Sequence, residues 1–205
     1  VTSDSPFYCG RVGTYGGAGR NFGIQNSDLV LFIGSRISGR ITGGVPDSFT
    51  RNAKRYVVDV DTALLEPKWQ PVKAHVNIHC DAGVFMRSLA TRAVQPNTQA
   101  WLKVCRDWRE KYDPVREEFR EGWHTYGFLR TLSEFMPPNA VVVNDTGGAV
   151  ISAAHAFETK RGQRYFTNNG NAPMGFAFPA AMGAYYANPT RPVFCISGDG
   201  GFQLN

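Results

Sequence analysis

No stretch of this chain approaches the roughly 18 consecutive apolar residues that a membrane-spanning helix needs, so no membrane partner is expected. Cysteine is scarce too. Cys9, Cys80, Cys105 and Cys195 lie far apart in 205 residues and form neither a Cys-x-x-Cys pair nor a cluster with histidine. That spacing argues against a zinc site or a disulfide framework and fits reduced thiols in a cytoplasm. Cys80 and Cys195 fall in apolar runs and are expected as small core residues. The opening Val1-Thr2-Ser3-Asp4 has no Met, no basic region and no apolar region of a secretory signal, although one could precede a fragment. Internal repeats and low-complexity tracts are also lacking.

What remains is globular in composition, 42% hydrophobic and 19% charged, with enough chain to bury a real core. The net charge of +5 raises the question of a nucleic-acid partner. Between Arg11 and Arg55 stand seven cations (Arg11, Arg20, Arg36, Arg40, Arg51, Lys54, Arg55) against two anions (Asp28, Asp47), which matches the whole excess. These arginines are interleaved with glycines and lack a stacking array of aromatics or a basic helix, so no nucleic acid is expected. An anionic cofactor or phosphate ligand fits better, with a basic solvent-facing surface as the alternative.

Strand and helix signals alternate from about Val12 to Ala93. The apolar runs Leu29–Ile33, Arg55–Val60 and Val76–His79 read as strands, and Ala82 to Ala90 has helical spacing. Short apolar strands with glycine-rich or helical connections indicate a parallel sheet covered on both faces. Gln95-Pro96-Asn97 then punctuates the chain. Thr98 to Glu121 interleaves six cations with six anions around Trp101, Leu102, Trp108 and Phe119, which predicts a solvated amphipathic helix or helix pair interrupted near Pro114. The α/β pattern resumes with a helix capped by His124 or Thr125 and running to Phe135, then a strand at Ala140 to Val143. A helix from Ala149 to Phe157, another within Gly175 to Ala187, and a strand at Pro192 to Ser197 follow.

The last strand runs into Gly198-Asp199-Gly200-Gly201-Phe202. A carboxylate there lies at the carboxyl edge of the sheet, where open α/β sheets bind ligands, and a lone Asp suits a hard cation such as Mg²⁺. Asp145-Thr146-Gly147-Gly148 opens a helix whose free N–H groups could hold a phosphate. Taken singly, both read more simply as tight βα turns, where glycine and Asp are common.

In succession the motifs resemble the thiamine-diphosphate-dependent enzymes, and more specifically the acetolactate synthase large subunits. Pro173-Met174-Gly175-Phe176-Ala177-Phe178-Pro179-Ala180-Ala181-Met182-Gly183-Ala184 resembles the family's MGxGLPAAIGA stretch, and Gly198–Phe202 resembles the start of its GDG…N cofactor motif. Gln25-Asn26-Ser27-Asp28-Leu29 and the following Gly34 to Gly43 segment resemble its middle domain, the latter looking like GARFDDRVTG. The resemblance covers nearly the whole chain. It implies two Rossmann-like parallel-sheet α/β units, both truncated: a middle domain over 1–94, a helical linker over 95–124, and a cofactor domain over 125–205.

By the same resemblance, Asp199 is one Mg²⁺ ligand and Gly147 and Gly148 lie by the cofactor diphosphate. Gly198, Gly200 and Gly201 belong to the metal-bearing turn. Met174 lies under the bent cofactor, and the carbonyl of Ala172 faces its amino group; ordinary core packing is the alternative for Met174. FAD contacts are implied at Gly34, Arg36, Arg40 and Asp59, where salt bridges are the alternative. No catalytic residue is assigned, because the family's catalytic glutamate belongs to an N-terminal domain and its second metal ligand lies beyond Asn205. The fragment alone is therefore expected to be inactive.

The resemblance further implies a cytoplasmic homodimer or homotetramer that decarboxylates a 2-oxo acid such as pyruvate and transfers the acyl-anion equivalent to a carbonyl acceptor. Departures from the family pattern qualify the substrate. Its Gln-His-Gln run becomes Gly148-Ala149-Val150, and the segment Thr167 to Gly175 is one residue longer and asparagine-rich. Another 2-oxo acid, or a sugar ketone acceptor, is the alternative. A non-catalytic nucleotide-binding module around Gly13 to Gly23 ranks lower, since its glycines follow no clear strand and do not spell GxGxxG.

Overall fold

The computed structural model describes residues 2–92 and 97–204. The break expected at Gln95-Pro96 lies outside the described residues. The chain divides into two compact units, Val12–Tyr112 and a second that joins the first eleven residues to Asp113 onward.

The Val12–Tyr112 unit holds α1 (Ala18–Gln25), β1 (Leu29–Ile33), α2 (Gly39–Thr42), β2 (Lys54–Asp59), α3 (Thr62–Leu65), β3 (Val76–His79), α4 (Ala82–Thr91) and α5 (Gln99–Lys111). Its three strands are parallel in the order β1-β2-β3, with Leu31 opposite Tyr56 and Val58 opposite Ile78. Phe32 and Val57, paired across the sheet, join Ile37, Phe49 and Val72 in a buried core. Coverage on both faces, as the pattern predicted, stops short of β3: it is an edge strand with Val76 exposed. Helix α4 likewise keeps Val84, Met86 and Leu89 largely exposed.

The glycines around position 20 have a packing role. A Cβ at Gly19 would lie 2.0 Å from the Trp108 carbonyl oxygen, and one at Gly23 would lie 3.3 Å from Cys105 Sγ. Helix α1 thus lies directly on α5, and Phe22 meets Trp108 and Tyr112 edge-on. That close approach explains Gly19 without a nucleotide. It also makes Cys105 the buried cysteine.

The second unit holds α6 (Thr125–Phe135), β4 (Val141–Asn144), α7 (Gly148–Ala156), β5 (Arg164–Thr167), α8 (Ala177–Ala187), β6 (Val193–Ile196) and α9 (Asp199–Phe202). Helix α6 begins as expected at His124, whose Nδ1 accepts from the Tyr126 N–H at 3.2 Å. The sheet is parallel in the order β5-β4-β6. From β4 the chain crosses to β5 on one side and then to β6 on the other, so the connection reverses around β4. In open α/β sheets ligands bind outside the carboxyl ends of strands at such a reversal.

Strand β4 is buried along its whole length, and its period of two divides the core. Val142 packs with Leu129, Met136, Ala153, Ala156 and Phe157 on the side of α6 and α7. Val141 and Val143 face Ala177, Ala180, Ala181 and Ala184 of α8. Alanine on both helices lets them sit close, and each buried valine contributes roughly 1.5–3 kcal/mol of transfer free energy.

One cysteine expectation is corrected here. Cys195 is exposed and Cys80 half-buried. Among the described residues strand β6 pairs only with β4, and Cys195 lies in an open groove with Met182 and Tyr185 rather than in the core. No helix among the described residues is long and apolar enough to cross a membrane.

Candidate functional site

Three turns meet at the carboxyl ends of β4 and β6. In the first, Asp145 continues β4, and its N–H donates to the Ile196 carbonyl at 2.8 Å. Gly147 follows with φ 72° and ψ −141°, a region open essentially to glycine alone, and α7 starts at Gly148 with no side-chain cap. A Cβ at Gly147 or Gly148 would meet nothing within 4 Å. The first-turn N–H groups of α7 therefore open on free space, where a helix favours an anion. Below them, Asn144 Nδ2 donates to the Ala149 carbonyl at 3.3 Å and to Tyr165 Oη at 2.7 Å, which fixes the start of the helix to the sheet.

The second turn is Asn168–Gly175. The Ala172 N–H donates to the Asn168 carbonyl at 2.9 Å, and Ala172 is held at φ 49°. A left-handed alanine before a proline is doubly unusual and costs on the order of 1–3 kcal/mol, strain that clusters at functional sites. Met174 is 55% exposed, and its Cε rests 2.6 Å from where a Gly200 Cβ would be. The structure thus brings Met174 to the Gly-Asp-Gly turn, 26 residues on in sequence, and core packing does not account for it.

The third turn is Ser197–Gly201. Asp199 is exposed in the first turn of α9, with open space at Gly198. Among the described residues no three His, Cys, Asp or Glu side chains gather to hold a metal. A lone exposed carboxylate beside an anion-favouring helix suits a cation shared with a phosphate rather than an all-protein cage.

One residue at the centre was named in the sequence only as part of the Asp145–Gly148 turn and was given no role of its own. Asp145 is 2% exposed, and its carboxylate accepts from the Thr146 N–H (2.8 Å), the Gly175 N–H (3.1 Å) and the Ser197 hydroxyl (2.9 Å). It ties the three turns together. The available signal was an acid at a strand end directly before Thr-Gly-Gly. Partial burial and then the Asp145 charge push the Cys195 thiol above its ordinary range.

Neither nearby histidine is free to act as a base. His124 caps α6 and stacks on Phe119, and His155 Nδ1 pairs with Tyr126 Oη at 3.0 Å.

The second group of expected residues is less convergent. Gly34, at φ 57°, ends β1, and Asp59 Oδ1 accepts from the Asp61 N–H at 3.0 Å. Arg36 lines a cavity of about 530 Å³ with Ile37, Asp61, Lys68 and Trp69. Arg40 instead lines a smaller cavity of about 200 Å³ with Thr14 and Asn21, and donates to Tyr15 Oη at 2.5 Å. Arg11, counted in the basic excess, belongs to the other unit and bonds the Ala154 carbonyl at 2.8 Å.

Residues 1–89 match the family model described as thiamine pyrophosphate enzyme, central domain, and residues 145–205 match thiamine pyrophosphate enzyme, C-terminal TPP binding domain. The chain is 32% identical to the acetolactate synthase isozyme 2 large subunit of Escherichia coli (strain K12), over 100% of this chain and 36% of that protein. It is 31% identical to the isozyme 1 large subunit of the same organism, over 98% of this chain and 35% of the relative. With acetolactate synthase 1, chloroplastic, of Oryza sativa subsp. japonica it shares 30% identity, over 99% of this chain and 32% of the relative. The chain thus spans about a third of the length of the curated relatives it matches.

Proposed function

The chain belongs to the thiamine pyrophosphate enzymes, and we propose that the full-length protein is a carboligase of the acetolactate synthase type. It decarboxylates a 2-oxo acid such as pyruvate and transfers the acyl unit to a carbonyl acceptor. The observation that carries this reading is the meeting of three turns at one sheet edge: an uncapped helix start, an exposed carboxylate, and a half-exposed Met174 against Gly200.

Those residues fit thiamine diphosphate with Mg²⁺. Gly147 and Gly148 leave the first turn of α7 open to the diphosphate, and Asp199 supplies a carboxylate to the cation. Gly198, Gly200 and Gly201 keep that turn clear of side chains. Met174 offers an apolar shoulder, and the strained Ala172 fixes the direction of its carbonyl. When bound, the cofactor supplies the electron sink for decarboxylation. Asp145 is engaged by three donors, so we assign proton transfer to an acid outside this chain.

FAD has narrower support, resting on Gly34, Arg36 and Asp59 at the carboxyl edge of the first sheet, with Arg40 held at Tyr15. The visible absorbance of the purified full-length protein tests it. The widely spaced cysteines, none of them in a disulfide, support a cytoplasmic setting, and the exposed Met182, Tyr185 and Tyr186 support a homodimer or homotetramer.

Thermal unfolding of the full-length protein with thiamine diphosphate and Mg²⁺ tests the cofactor reading. The expected result is a raised Tm that Asp199→Ala abolishes; no shift in the wild type refutes it. A second reading keeps the cofactor but changes the acceptor, for example to a sugar ketone. It rests on the departure of Gly148-Ala149-Val150 from the family's Gln-His-Gln run and on the asparagine-rich segment at Asn168-Asn169. Product formation from pyruvate alone, against pyruvate plus a sugar acceptor, separates the two.

A further inference from the structure

We propose that Asp145 is a positioning residue that locks the cation-bearing turn Gly198–Gly201 to the Ala172–Gly175 segment and thereby sets how tightly Mg²⁺ supports cofactor binding. The inference rests on the cofactor reading above and deepens it. Asp145 touches no ligand group itself; both of its oxygens are taken by protein donors. Oδ1 accepts from the Thr146 N–H, which lies in the turn before α7. Oδ2 accepts from Gly175, at the entry to α8, and from Ser197, at the end of β6. Its own N–H is bonded to Ile196, so main chain and side chain together hold the end of β6.

Helix α9 approaches this carboxylate as closely as a residue without a side chain allows. A Cβ at Gly201 would lie 2.4 Å from Asp145 Oδ2 and 2.8 Å from Ser197 Oγ. The carboxylate is therefore the floor on which the Asp199 turn rests, and the same oxygen reaches the segment that carries Met174. Burial keeps water from competing for these bonds.

The chemistry requires an acceptor on both oxygens. Two of the three donors are backbone N–H groups, which cannot rotate away, whereas the Ser197 hydroxyl can. An amide at position 145 would set its NH₂ against either the Thr146 or the Gly175 N–H, whichever way it is turned. One turn would then lose its anchor while the side-chain volume stays constant.

A residue that only stabilised the fold would lower Tm without changing the cation requirement. The measurement is thiamine diphosphate binding to the full-length protein, followed by tryptophan fluorescence over a series of Mg²⁺ concentrations. Asp145→Asn is expected to raise the Mg²⁺ needed for half-saturation about tenfold, through one unmet buried N–H. Ser197→Ala, which removes one donor and leaves both backbone bonds, is expected to raise it about threefold with the far-UV CD unchanged.

If Asp145→Asn does not fold, Ser197→Ala decides. A wild-type Mg²⁺ half-saturation in folded variants, with or without a fall in Tm, overturns the positioning role while leaving the cofactor reading intact. A wild-type protein that binds no thiamine diphosphate at any Mg²⁺ concentration overturns the cofactor reading instead.

Discussion

Gly200 and Gly201 are neighbours in one short helix, yet an added methyl group should destabilise at Gly201 and leave stability nearly unchanged at Gly200. Alanine is favoured over glycine in a helix interior by roughly 0.5–1 kcal/mol. At Gly201 the new Cβ would sit 2.4 Å from Asp145 Oδ2 and 2.8 Å from Ser197 Oγ. Neither atom yields cheaply, since the buried carboxylate would have to leave the Gly175 N–H. Overpacking of this kind costs about 1–3 kcal/mol, so a net loss of about 1–2 kcal/mol is expected after the helix gain. At Gly200 the new Cβ meets only Met174 Cε, at 2.6 Å, the far end of a flexible side chain that is 55% exposed. That methyl can swing into solvent, and the expected change is within about 0.5 kcal/mol of zero. A multidomain protein need not unfold in one step, so the readout is local: amide exchange of the segment 193–204 in the full-length protein. Gly201→Ala should exchange about tenfold faster and Gly200→Ala about as the wild type does, one decade being about 1.4 kcal/mol. Gly200→Ala should nonetheless weaken thiamine diphosphate binding, because it displaces Met174. Equal exchange in the two variants, or greater protection in Gly201→Ala, would refute the geometry.

Arg130 is nearly buried and donates to the Ala156 carbonyl at 2.8 Å and to both oxygens of Asp113 at 3.2 and 3.1 Å. Arg130→Met, which keeps the apolar stem, should cost about 2–3 kcal/mol, seen as a lower Tm; an unchanged Tm would show that the pair is solvated. Tyr165 supplies a pH prediction. Burial pushes its hydroxyl above the ordinary value of 10.0, opposed by the Asn144 hydrogen bond and the Arg11 charge. The unfolded chain loses this proton first, so the stabilisation is fully present below about pH 10 and is lost as pH rises through the folded value. Tyr165→Phe should flatten the alkaline fall in Tm, and an identical slope in the variant would exclude Tyr165 as its source.

The strands that sequence reveals best are those whose burial is local. Leu29–Ile33 and Val76–His79 coincide with β1 and β3, and His124 caps α6 where its position before Thr125 suggested. Strand β5, Arg164–Thr167, went unread because Arg-Tyr-Phe-Thr has neither an apolar run nor a clear alternation; pairing with β4 makes it a strand. Helix α1 was hidden by Gly19 and Gly23, which look like loop residues until α5 is packed against them. The charges of Thr98 to Glu121 suggested a solvated helix or helix pair interrupted near Pro114, and α5 does end at Lys111. What they hid is that Trp108 and Cys105 pack α5 on α1, while Asp113 onward belongs to the other unit. The outer parts of the candidate site could be proposed from the sequence because Gly147, Met174 and Asp199 each stand in a local motif. Asp145 stood in the same motif and passed for a turn residue. Its partners, Gly175 and Ser197, lie 30 and 52 residues away, a convergence that no spacing rule supplies.

Helix α7 explains why this part of the chain fixes the kind of ligand but not the substrate. At its carboxyl end, Arg11 bonds the Ala154 carbonyl and Arg130 the Ala156 carbonyl, so two guanidinium cations face the negative end of the helix dipole. Its amino end has no side-chain cap and no acidic residue in the first turn. The nearest carboxylate, Asp145, lies in the turn before the helix and bonds the Thr146 N–H, so no side chain caps the first-turn N–H groups. An anion there gains about 0.3–1 kcal/mol at an exposed helix end and up to about 2 kcal/mol when partly buried. That field depends on the backbone and on residues behind the helix, so it serves any diphosphate equally. The first-turn side chains, Gly148, Ala149 and Val150, add no hydrogen-bond donor or acceptor with which to distinguish one 2-oxo acid or acceptor from another. Discrimination between such substrates requires polar side chains placed against them, and the first turn of α7 supplies none. The basic excess near the start of the chain must be read in the same light: Arg11, one of its members, favours an anion from the far end of the helix rather than by touching it.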